Sequence, residues 1–166
     1  MASGDVTLLY SANTSALTIT LASLANAAAQ QCTAYVNSGS SFTDGSLIVK
    51  LTSTTGTHGS DLVCYLYGYC SPDNTNWTDP VTTSSDLAVT ITTGMNLIGP
   101  AVVNFGTSAT GTTTRTVVIP SVANFFGGQL PARFGFVVEN KLNIGLASAA
   151  ASQAIIFCPT YENVAP

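Results

Sequence analysis

A chain of 166 residues is one ordinary domain's worth of sequence, long enough to bury a sizeable core without help from disulfides or metals. Charged residues make up 7% of it and the net charge is −4, with only four Lys and Arg, so the cation clusters that grip nucleic-acid phosphates are missing and the surface must be mostly neutral. Little charge means little repulsion between copies, which points to a subunit whose faces are covered by partners rather than to a free monomer.

In chain order, residues 1–14 show no periodic pattern and read as an N-terminal arm ahead of a single domain, residues 15–166. The arm has an acid at Asp5 and no basic residue ahead of an apolar run, so it does not read as a secretory signal, and the chain is expected to be made in a cytosol. No segment reaches the roughly 18 apolar residues of a membrane span. Residues 15–21 alternate, Leu17, Ile19 and Leu21 against Thr18 and Thr20, as a half-exposed strand does. Residues 23–31 (SLANAAAQQ) are alanine-rich with Ser23 placed as an N-cap, and read as an irregular or short helical crossing. Residues 32–36 read as a short strand, and 45–52 alternate with Leu47, Val49 and Leu51 inward and Ile48 and Lys50 outward. The polar loop that follows holds the single histidine, His58, which reads as solvated because nothing near it in sequence would position it as a base.

Residues 62–78 (LVCYLYGYCSPDNTNWT) carry the strongest pattern: a run of β-formers that breaks at Pro72, Asp73, Asn74 and Asn76 into a tight connection. Leu62, Cys64 and Leu66 share the parity of a core face, expected to meet Leu47, Val49, Phe134 and Phe136. Tyr65, Tyr67 and Tyr69 share the other face with Val63. Three hydroxyls in a row want polar partners or water, so these tyrosines, with Trp77 beyond the turn, are the candidate interface residues. Trp77 beside tyrosines is also the composition of a sugar-stacking platform, a reading that an exposed aromatic patch favours.

Further strands are expected at 87–92, at 96–103 with a bulge or edge feature at Gly99–Pro100, and at 114–119, ended by Pro120. A helical turn is expected within 121–126, and strands again at 133–140 and 154–161, the last placed at an edge by Pro159. About eight or nine strands and almost no helix make an antiparallel β-sandwich, jelly-roll-like or immunoglobulin-like.

Parts for an enzyme are missing. There is no Gly-x-Ser-x-Gly elbow, no phosphate loop and no His-x-x-x-His pair, and the acids Asp5, Asp44, Asp61, Asp73, Asp79, Asp86, Glu139 and Glu162 stand mostly in loops as turn formers. The oxygen cluster Asp73, Asn74, Asn76 and Asp79 lacks the spacing of a calcium loop and reads as a plain hairpin connection, so no metal or cofactor is called for. Cys32, Cys64, Cys70 and Cys158 fit no zinc spacing. Cys64 and Cys70, about 20 Å apart on a straight strand, lie far beyond disulfide reach, so all four read as free thiols.

Four segments together carry a resemblance: ITLASLANAAAQQ (19–31), LVCYLYGYCSPDNTNWTD (62–79), NLIGPAVV (96–103) and PSVANFFGGQLPARFGFVVEN (120–140). They resemble a group of small structural proteins of tailed bacteriophages in which a SLANGAARQS segment precedes YAYGSSDGTNWTD and then FGGxLPxxWGIVVxN. Phe134 stands where that group tends to have Trp, and Asn74-Thr75 where it tends to have Asp-Gly. The resemblance implies a β-sandwich virion component: a decoration or cement protein on the outer surface of a capsid, partnered by the major capsid protein and by copies of itself in a trimer. The rival it leaves open is a tail or head-fibre component with a carbohydrate-binding role.

Overall fold

The computed structural model describes residues 6–11, 14–39, 42–58, 62–92, 95–106 and 111–164. Eleven strands are assigned: β1 (Val6–Tyr10), β2 (Ser15–Ala16), β3 (Ala29–Gln31), β4 (Tyr35–Val36), β5 (Phe42–Thr52), β6 (Val63–Ser71), β7 (Leu87–Val89), β8 (Ile98–Asn104), β9 (Thr114–Ile119), β10 (Arg133–Lys141) and β11 (Ala154–Val164). One helical turn, α1 (Val122–Phe125), is capped by Ser121, whose Oγ accepts from the Asn124 N–H. No helix among the described residues is long and apolar enough to cross a membrane.

The strands form two antiparallel sheets. Sheet A has the order β1-β11-β5-β9, with β2 also on β11; sheet B has the order β7-β3-β10-β6-β8, with β4 also on β10. The count exceeds the eight or nine expected because two strands are interrupted. β1 and β2 lie end to end along β11, and β3 and β4 end to end along β10, where Gln31 and Tyr35 face Val137 and Phe134 with one extra residue between them. That bulge flips parity, so that Gln31 faces out and Tyr35 faces in. Counting each interrupted pair once and setting aside the short edge strand β7, the chain order of the strands gives sheets 1-8-3-6 and 2-7-4-5. This is a long hairpin rolled up on itself, the jelly roll, and not the immunoglobulin order.

The core lies between the sheets. Leu47, Val49, Leu51, Ile155 and Phe157 of sheet A meet Cys64, Leu66, Val103, Phe134, Phe136 and Val138 of sheet B, all buried. Phe134 and Phe157 bridge the sheets edge to face, with centroids 5.3 Å apart. The expected partnership of Leu47, Val49, Cys64, Leu66, Phe134 and Phe136 is therefore present. Leu62, grouped with them by parity, sits just before β6 with φ 54° and is only half-buried. Phe125 and Phe126 close the sandwich end against Phe134 and Phe136.

Several local expectations are corrected. Residues 6–10, read as part of an arm, form the edge strand of sheet A, paired residue by residue with Thr160–Val164; residues 1–5 lie outside the described residues. Residues 23–31 contain no helix: they turn twice, with Ser23 and Ala27 at φ 59° and 60°, and enter β3. Residues 87–92 pair only over Leu87–Val89. β11 is not an edge strand; it lies between β1 and β5. Pro159 is tolerated there because its carbonyl accepts from the Ser11 N–H, so its nitrogen, on the same side of the strand, faces the gap between β1 and β2 where no ladder bond is needed. Pro100, by contrast, sits in an edge strand, β8, the second of the two alternatives for Gly99–Pro100.

Candidate functional site

The outer face of β6 carries Val63, Tyr65, Tyr67 and Tyr69 as the parity predicts, yet the four candidate residues do not form one exposed row. Tyr69 is fully buried. Its ring lies across Gly135 on β10, where any side chain would occupy the same space, and its hydroxyl donates to the Cys32 carbonyl. Trp77 stacks obliquely on it, centroids 5.8 Å apart, and is half-buried, with Val81 buried nearby. Residues 72–86 thus run as a strap over the outside of sheet B. The strap is tied down by Gln31 Nε2 donating to the Thr83 and Ser85 carbonyls, by the Ala34 N–H donating to Ser84 O at 2.8 Å, and by Asp86 accepting from Thr20 Oγ1 and Gln30 Nε2. Tyr69 and Trp77 hold this strap.

Tyr65 and Tyr67 stay half-exposed on the uncovered part of the face. The Tyr67 hydroxyl donates to Glu139 Oε2 at 3.1 Å, and Lys141 Nζ meets Glu139 Oε1 at 2.8 Å. Burial and the adjacent carboxylate push the Tyr67 phenol up to about 12. Around them Val102 (45% exposed) and Leu87 (47%) stand open to solvent. Across the molecule, the outer face of sheet A presents a transverse row of Ala16, Ile156, Ile48 and Val118, with Val118 58% exposed.

The remaining candidates have structural employment. Asp73 accepts from Ser71 Oγ, the N–H groups of Thr75 and Asn76, and Asn76 Nδ2, at 2.6 to 3.1 Å, so the oxygen-rich loop is a self-satisfied turn. Those donors hold its carboxyl well below the usual range. No cluster of three or more His, Cys, Asp or Glu exists among the described residues. His58 is not solvated: it is buried edge-on against Phe105, its Nε2 3.1 Å from Ser53 Oγ. Ser53 is itself fully buried and also receives the Thr113 N–H, so this pair ties loops together out of reach of any substrate. All four cysteines are free; burial raises Cys32 to about 11 and Cys64 to about 12, which suppresses the reactive thiolate.

A feature that parity alone did not reveal is a groove on the outside of sheet A, about 450 Å³ in volume. β9 pairs with β5 only from Leu47 onward, and α1 takes its place beside the first half of β5, tethered by the Ala123 N–H donating to Asp44 Oδ1 at 2.7 Å. Between α1 and the edge strand β1 the sheet is left as the floor of a trough. Compared with protein families, with curated proteins and with solved structures, the chain matches none.

Proposed function

We propose that this chain is a non-enzymatic virion subunit, a capsid decoration or cement protein that binds the major capsid protein on the outer surface of a phage head. It acts as a symmetric oligomer, most simply a homotrimer, because three-fold and quasi-three-fold positions are where a trimer matches the symmetry of an icosahedral shell. The observation that carries this reading is the placement of exposed apolar side chains on two opposite faces: Val118 outside sheet A, Val102 and Leu87 outside sheet B. A bridging subunit must be held from more than one side, and a surface with this little charge loses little solvation when covered. The jelly roll adds support by analogy of fold, since capsid domains are built on it, although lectins are too. The resemblance of four sequence segments to phage structural proteins points the same way.

Imaging of purified particles tests the proposal. The expected result is density for this chain on the outer head surface, in contact with coat protein and in copy numbers that follow the three-fold positions. Density confined to the tail, or a monomer touching no coat protein, would overturn it.

A further inference from the structure

The groove on sheet A has the chemistry of a ligand site. Thr160 lies on its floor, on the same face as Tyr10 and Asp44 with which it pairs. The residue is only 5% exposed and belongs to the lining of the trough. Asp44 spends one carboxylate oxygen on α1 and keeps the other. Glu162 is exposed at the same end and, like the Asn124 amide on the α1 wall, forms no side-chain bond among the described residues. On the rim Tyr10 is 79% and Leu8 54% exposed, a flat apolar ledge beside a set of acceptors. No Lys or Arg lines the groove.

Each class of ligand can be weighed against that set. Two carboxylates without a cation repel phosphates, sialic acids and uronic acids. A calcium ion needs about six to eight oxygens at 2.3 to 2.6 Å, more than two carboxylates, one already half-committed, supply. A ligand rich in hydroxyl donors, with an apolar C–H face to lie against a phenol ring, satisfies every feature at once. We infer that this groove binds a neutral saccharide, its ring stacked on Tyr10 and its hydroxyls donating to Asp44, Glu162 and Thr160. A volume of about 450 Å³ suits one or two hexose units. An open trough of this size holds them weakly, with a Kd on the order of 1 mM. The groove shares the outer face of sheet A with Val118, but it is tested on the isolated chain with free sugars, whereas the capsid reading is tested on particles, so either can fail alone.

The test is an amide-resolved NMR titration of the full chain with glucose, N-acetylglucosamine, maltose and lactose, each to about 50 mM, well above a millimolar Kd. Calcium chloride and N-acetylarginine amide are run as separate arms. The expected result is saturable shifts at Tyr10, Asp44 and Thr160 with at least one sugar, weakened about tenfold or more by Tyr10→Ala and by the near-isosteric Thr160→Val, with unchanged melting temperatures. Tyr10 is so exposed that its truncation leaves folding untouched. Three results overturn the inference: no response to any of the four sugars, a response undiminished in Tyr10→Ala, or shifts in the groove from calcium or the arginine derivative alone.

Discussion

Leu66 shows what a single residue contributes to this core. It is buried between Phe136, Val138 and the sheet A aliphatics, so Leu66→Ala is expected to cost about 2 to 5 kcal/mol in a reversible denaturant titration. A loss below about 1 kcal/mol would contradict its placement. The thiols make a second case. Since all four cysteines are free, the melting temperature should be the same with and without reductant, and a fall of many degrees under reduction would reveal a bridge that this structure does not contain. Tyr67 makes a third. An unfolded phenol ionises near pH ~10, whereas burial and Glu139 hold the folded one up to about 12. The protonated phenol's contribution is therefore complete below pH ~10 and is lost as pH rises toward the folded value. Thermal stability should fall over that interval, and less steeply in Tyr67→Phe.

At the scale of elements, the N-terminal strand matters most. Read from sequence, residues 1–14 could be removed without touching the fold; in the structure β1 supplies a five-residue ladder to β11. Deleting residues 1–11 is accordingly expected to lower the melting temperature and to expose the edge of an eleven-residue strand, seen as concentration-dependent association in sedimentation. An unchanged melting temperature and a monodisperse truncated protein would show that β1 contributes nothing. The strap over sheet B obeys the same logic of cover: it buries the polar–aromatic half of β6 that a two-layer sandwich would leave wet, which is why Tyr69 tolerates complete burial.

For the whole molecule, the two apolar outer faces should be separable from stability. Val118→Glu and Val102→Glu each place a charge on an exposed position, where surface substitutions shift stability by about 0.5 kcal/mol or less. Each is expected to leave the isolated protein's melting temperature within a few degrees of wild type while reducing its recovery on purified particles. Full recovery of both variants would remove the basis for a docking role of these faces.

Much of this architecture was legible in the residues themselves. Alternation in residues 45–52 and 62–70 identified the inward set apart from Leu62, which precedes the strand, because side-chain direction in a strand is a local property with period two. Pro120 marked the end of β9, since it acts on its own backbone, and the turn expected within 121–126 is α1. What sequence could not decide was long-range. Pro159 suggests an edge, yet only the pairing partners show that its missing donor faces a gap inside a central strand. The tyrosine row had one parity but two environments, because the strap that follows β6 folds back over Tyr69, pinned by Gln30, Gln31 and Ala34, and leaves Tyr65 and Tyr67 open. The groove gathers Tyr10, Asp44, Asn124 and Thr160 from four distant stretches, and no local pattern records such a meeting. Local periodicity determined which way each side chain points within its strand; tertiary contact alone determined what it points at.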